Sequence, residues 1–198
     1  MQNRLFCAVA LTFLLLPLSA PAAQEAAPRN VIVMIGDGMG VGNVTAARIV
    51  KGSLHLDRCT AGGLSATHSA SSLVTDSAAG GTALSTGQRT KNHMVAMTPD
   101  GAVLKNLLEY AEEAGKSTGV VVTCAVTEAT PATFLAHVDD RGKQPLIAEQ
   151  IAAGNADVIL GGGWGYFVPQ SQKGSKRKDD QDLLAELGKR MPVVLTPE

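Results

Sequence analysis

The sequence predicts an α/β fold, a largely parallel sheet sandwiched between helices. Three observations carry this reading. Short apolar runs at 30–35, 118–124 and 157–160 alternate with stretches of helical spacing, the order that builds parallel sheets with right-handed crossovers. The runs are continuously apolar instead of alternating, as in strands covered on both faces. Distinctive polar residues stand directly after the runs: Asp37 after the first, Thr127-Glu128-Ala129-Thr130 after the second. Ligands in open α/β sheets gather at the carboxyl ends of strands.

The elements follow in order. Residues 30–35 read as a central strand, ended by the turn Gly36-Asp37-Gly38-Met39-Gly40. Residues 44–50 read as a helix stopped near Gly52. Residues 53–75 read as short strands or irregular structure. Small residues from 77 to 84 suit a helix start packed closely on its neighbours, and 88–100 a loop or hairpin. Leu104, Leu107, Leu108 and Ala111 recur at helical spacing, with Gly115 closing that helix. After the Val-rich strand at 118–124, Pro131 starts a helix through Phe134, Leu135 and Val138, since Pro suits a first turn. A helix at 146–153, a strand at 157–160 ending in three glycines, a polar loop at 171–180, a helix at 183–191 and a last strand at 193–195 complete the chain.

A length of 198 residues suits one good-sized domain. The first 22 are set apart as a secretory signal: Arg4, an apolar run from 5 to 16, then small residues around Ala20-Pro21-Ala22. That run is too short to span a bilayer comfortably. The mature chain, 23–198, is therefore expected to be secreted or periplasmic, without a stable membrane anchor. The net charge of −1 and an aromatic share of 4% give no reason to expect nucleic acid as a partner. Cys59 and Cys124 remain after the signal. They read as a permitted disulfide or as two buried thiols.

Four places can carry chemistry. Asp37 lies between two glycines after a buried strand, so its carboxylate can approach a ligand closely. It reads as a metal ligand or as a turn Asp bonding its own backbone. The glycines at 36, 38 and 40 fail the dinucleotide spacing because position 41 is Val. Ser77 reads as a helix cap. The same position offers N–H groups and a positive dipole end to a phosphate, and a metal there would activate its hydroxyl. The context is not a G-x-S-x-G elbow. Glu128 and Thr130 are spaced to share a hard cation, or Thr130 caps the helix at Pro131. Arg141 suits two phosphate oxygens, or complements a helix dipole in a last turn. His55, His68, His93 and His137 form no ligand pair.

Together these segments resemble one family. The stretch from Asn30 to Gly40 looks like the first strand and metal-binding turn of alkaline phosphatases. Thr75-Asp76-Ser77-Ala78-Ala79-Gly80-Gly81-Thr82-Ala83 looks like their nucleophile motif. Thr127-Glu128-Ala129-Thr130-Pro131-Ala132, with Ala136-His137-Val138 and Arg141, looks like their magnesium-site and phosphate-arginine segment, and Ala156 to Gly163 is a further family-like stretch. The resemblance implies an alkaline-phosphatase-like fold and an exported phosphomonoesterase using Zn2+ and Mg2+ on small phosphate monoesters. In it Ser77 would become phosphoserine and Asp37 would bridge zinc and magnesium. Thr130 would ligate magnesium with Glu128 at the neighbouring metal position, Arg141 would clamp phosphate and Asp76 would help orient Ser77. A homodimer is implied for the full-length protein.

Two departures accompany the resemblance. Glu128 stands where the family commonly has Asp or His. The family's remaining zinc ligands have no counterpart before Glu198, so the expectation is an N-terminal portion, incomplete as a fold and with little phosphatase activity on its own. The alternatives are a phosphodiesterase or sulfatase-like relative, or a non-catalytic fragment that keeps part of the fold.

Overall fold

The computed structural model describes residues 28–195. The proposed signal at 1–22 lies outside them. The chain divides after Gly36 into two units. In the first, residues 28–36 form no helix or strand. The expected strand at 30–35 is therefore not formed. An apolar run supplies side chains for a sheet, but a strand takes its hydrogen bonds from neighbours.

The second unit begins at Asp37. Its helices are α1 (Val41–Lys51), α2 (Ser77–Thr86), α3 (Leu107–Glu113), α4 (Ala129–Ala132), α5 (Gln144–Ala153) and α6 (Leu183–Gly188), and its strands β1 (Gly119–Ala125) and β2 (Val158–Gly162). The two strands pair in parallel, Gly119 opposite Val158 and Val121 opposite Leu160, with an irregularity before Ala125 meets Gly162. α5 lies between them in sequence, as a parallel connection requires.

The core sits among the helices. Ala78 of α2, Ala129 and Ala132 of α4, Ile147, Ala148 and Ile151 of α5, and Leu183 and Leu187 of α6 are all buried, with Val95, Val126, Val138 and Phe167 between them. Small residues let α2 and α4 approach closely. A Cβ on Gly81 would stand 2.8 Å from the Thr133 hydroxyl. That approach sets the middle of α2 against the end of α4.

Several boundaries differ from the sequence reading. Asn106 caps α3, accepting from Leu108 and Glu109, while the Glu109 carboxylate accepts from the Asn106 N–H. This reciprocal cap starts the helix at Leu107 and leaves Leu104 buried ahead of it. Glu128, not Thr130, precedes α4, and Pro131 falls inside its single turn. The chain then leaves the helical path, because Val138 pairs with Val95 in an antiparallel bridge. α6 stops at Gly188, and residues 193–195 form no strand. Cys59 and Cys124 are free and exposed, neither bridged nor buried. Cys124 falls on an exposed position of β1, where two-sided cover had been expected. Among the described residues no helix is long and apolar enough to cross a membrane.

Candidate active site

Asp76 begins the site. It is the N-cap of α2, its Oδ1 accepting from the Ala79 N–H at 2.9 Å. A carboxylate there satisfies an orphan donor and faces the positive helix end. Ser77 is consequently the first helical residue, half-buried, with Ala78 and Ala79 packed inward behind it. So Ser77 is not the cap; its hydroxyl is left for another partner.

That partner is Asp37. The Ser77 hydroxyl donates to Asp37 Oδ1 at 3.3 Å, and the Thr130 hydroxyl donates to Asp37 Oδ2 at 2.7 Å. Three oxygen-bearing side chains from three distant segments converge here. Asp37 is thus not a turn Asp bonding its own backbone. Gly38, at φ +67°, turns the chain directly after it, a conformation open to glycine at little cost.

A second group forms around Arg141. Its Nη1 faces Asp76 Oδ2 at 3.4 Å and its Nη2 faces Glu128 Oε2 at 3.5 Å. Arg141 lies in a turn, not in a helix end, and its backbone N–H donates to the His93 carbonyl at 2.8 Å. Glu128 is steadied from its other oxygen by Gln144 Nε2 at 3.3 Å, and Gln144 in turn accepts from the Thr127 hydroxyl at 3.0 Å. The two groups are joined through the chain, Asp76 to Ser77 and Glu128 to Thr130.

Charge follows from this geometry. Asp37, Asp76 and Glu128 outnumber the one guanidinium, a surplus that a bound cation would offset. Carboxylate and hydroxyl oxygens suit a hard cation such as Mg2+. Zn2+ commonly takes four ligands including N or S, and among the described residues no group of three or more His, Cys, Asp or Glu is placed to hold a metal. The oxygens present therefore suit Mg2+ and fall short of the donor set that Zn2+ ordinarily takes. Near the end of β1, partial desolvation of the Cys124 sulfur, then the Glu128 and Asp37 carboxylates, push its pKa up although the residue as a whole is exposed.

All six sequence-chosen residues thus fall into these two linked groups. Sequence reasoning missed Gln144, which holds Glu128, and Asn92 and His93, which touch the Ser77 loop. The only sequence signal for the latter pair was a polar dipeptide inside a stretch read as loop.

The family model for alkaline phosphatase matches residues 28–193. The chain belongs to the alkaline phosphatase family. It is 43% identical over 170 residues to an alkaline phosphatase of Schizosaccharomyces pombe, covering 79% of this chain and 32% of that protein. Against the streptomycin-6-phosphate phosphatase of Streptomyces griseus it is 40% identical over 190 residues, covering 78% and 42%. Among solved structures, alkaline phosphatase from the Antarctic bacterium TAB5 superposes with a TM-score of 0.69 at 35% identity, covering 77% of this chain and 43% of that one. A variant of the TAB5 enzyme with bound Mg gives 0.71 at 36% identity, covering 77% and 42%. The alkaline phosphatase of Thermus thermophilus gives 0.65 at 41% identity, covering 74% and 31%. The fold is therefore the α/β fold of this family, represented here by a two-stranded parallel sheet with helices. The chain spans 31–45% of the length of the curated relatives it matches.

Proposed function

We propose that this chain carries the nucleophile and phosphate-binding part of an exported, metal-dependent phosphomonoesterase that works through a phosphoserine on Ser77. The observation that carries the reading is the convergence of Asp37, Ser77 and Thr130 oxygens next to the Asp76 and Arg141 pair. Membership of the alkaline phosphatase family supports the reaction class.

The residues divide the work. The Ser77 hydroxyl gives its proton to solvent as Oγ attacks phosphorus; the bond to the leaving alcohol oxygen breaks and that oxygen takes a proton from solvent. Water then attacks the phosphoserine and loses a proton, the P–Oγ bond breaks, Oγ regains a proton, and inorganic phosphate leaves. Arg141 offers two N–H groups to non-bridging phosphate oxygens. Asp76, as helix cap and arginine partner, fixes the direction of both. The N–H groups at the start of α2 that Asp76 leaves uncapped are offered to the incoming anion. Asp37, Thr130 and Glu128, with Ser77, would hold Mg2+ and contribute to Zn2+ binding. Bound there, the metals would supply Lewis-acid activation of the Ser77 hydroxyl and charge compensation at phosphorus.

Small phosphate monoesters are the proposed substrates, with a secreted or periplasmic location and a homodimer for the full-length protein. N-terminal sequencing of the exported product should begin at Ala23. Ser77→Ala in the full-length protein should lower p-nitrophenyl phosphate turnover by at least about a thousandfold, with no phosphate recovered on the protein. Arg141→Ala should lower kcat/KM by about ten- to a hundredfold through lost charge-assisted hydrogen bonds. Undiminished turnover in Ser77→Ala would overturn the reading.

A further inference from the structure

We propose that Asn92 is a positioning residue for Ser77, its side-chain amide gripping the backbone on both sides of Thr75 so that the nucleophile and Arg141 keep one mutual geometry. The inference rests on the functional reading just given. Asn92 Oδ1 accepts from the Asp76 N–H at 3.3 Å, and Asn92 Nδ2 donates to the Val74 carbonyl at 3.1 Å. Only this orientation of the amide satisfies both groups. Turned over, it would set donor against donor and acceptor against acceptor. The Asn92 N–H is anchored in turn by the Ser71 hydroxyl at 3.0 Å.

The next residue extends the grip to the phosphate side. His93 is one of two non-glycine residues with positive φ among those described, at +72°. This conformation costs energy for a side-chain-bearing residue. It lets the backbone face two partners at once. The His93 N–H donates to Asp76 Oδ2 at 3.0 Å, and the His93 carbonyl accepts from the Arg141 N–H at 2.8 Å. Asp76 Oδ2 is also the oxygen facing Arg141 Nη1. Residues 92 and 93 thus tie the backbone ahead of Ser77, the cap carboxylate of α2 and the arginine turn into one frame. None of these contacts reaches the reacting atoms, so the role is to position, not to react.

The test uses Asn92→Ala and Asn92→Asp with two readouts. Amide hydrogen exchange on the full-length protein, read at residue resolution by fragmentation mass spectrometry at low concentration, reads the grip itself. Asn92→Ala should speed exchange at Asp76 by tenfold or more while α5 amides keep their protection. Asn92→Asp, which keeps the acceptor, should preserve part of the Asp76 protection. Should Asn92→Ala lose α5 protection as well, Asn92→Asp decides alone: it should speed Asp76 exchange by less than a fully freed amide, at unchanged α5 protection. Steady-state kinetics on the full-length, metal-loaded protein read the consequence. Asn92→Ala should lower kcat by ten- to a hundredfold with KM within threefold, and Asn92→Asp should recover part of that loss. Unchanged Asp76 exchange in Asn92→Ala, or a kcat equal to the parent's, overturns the proposal. Turnover that survives Ser77→Ala instead overturns the functional reading, and the exchange data then still decide whether Asn92 grips the loop.

Discussion

Gly80 and Gly81 stand side by side in α2 and meet different neighbours. A Cβ on Gly80 would lie 3.7 Å from the Thr75 side chain, an ordinary contact, whereas one on Gly81 would meet Thr133 Oγ1 at 2.8 Å and Cγ2 at 3.0 Å. Replacing an interior helix glycine by alanine removes an entropic cost of about 0.5–1 kcal/mol. Gly80→Ala should therefore raise stability by about 0.5–1 kcal/mol, read as a higher urea midpoint at unchanged slope. Gly81→Ala should lower stability by about 1–3 kcal/mol, because overpacking forces α2 and α4 apart. Equal effects in the two variants would contradict the close approach of the helices. The sequence showed a small-residue helix start here but not which glycine faced a neighbour. Ser77 was legible for a similar reason and to a similar extent. Its motif was readable, but its freedom from capping duty depends on Asp76 taking the Ala79 N–H. Asn92 showed only as half of a polar dipeptide, since its partners lie 16 and 18 residues away on the other side of α2.

At the scale of elements, legibility depended on whether an element holds itself together. β1, α5 and the start of α2 follow from local pattern and were read within one or two residues. Residues 30–35 and 193–195 have the apolar composition of strands but form none, because composition does not supply a partner. Pro131 misplaced the start of α4, since Pro suits the whole first turn and not N1 alone. The polar segment before α6 was read as a charged loop, but a buried guanidinium organises it. Arg177, with no side-chain exposure, binds Asp179 through both carboxylate oxygens at 2.7 and 2.6 Å, Glu149 at 2.7 Å, and the carbonyls of Pro145 and Tyr166 at 3.2 Å. Arg177→Ala should cost about 2 kcal/mol. That is below the ~3–5 kcal/mol of a fully buried pair, because both carboxylates reach solvent. The Arg177 guanidinium holds the Asp179 carboxyl below its usual range. A depressed folded value means stability present above the unfolded pKa, near 4, and lost as pH falls through the folded one. The stability gap between the parent and Asp179→Asn should therefore be constant at neutral pH and shrink below about pH 4. A gap that widens on acidification would mean that Asp179 draws no stability from Arg177.

At the scale of the molecule, the surface of the sheet departs most from what its composition demands. β1 and β2 pair with each other, and among the described residues no third strand joins them. Val121 is 72% exposed, Leu160 48% and Val158 46%. Parallel strands of this composition are ordinarily covered on both faces, and open edges present unpaired N–H and C=O groups to other chains. An apolar face joined to an open edge drives association through both the hydrophobic effect and strand addition. The 198-residue chain should accordingly self-associate as concentration rises. Light scattering behind size exclusion would show a weight-average mass above that of one chain. Val121→Lys places a charge on the exposed sheet without entering the helical core, so it should restore monomer at the same concentration with an unchanged circular dichroism spectrum. A monodisperse monomer for the parent chain across that range would mean that this face is already covered, and the sheet would then extend beyond β1 and β2.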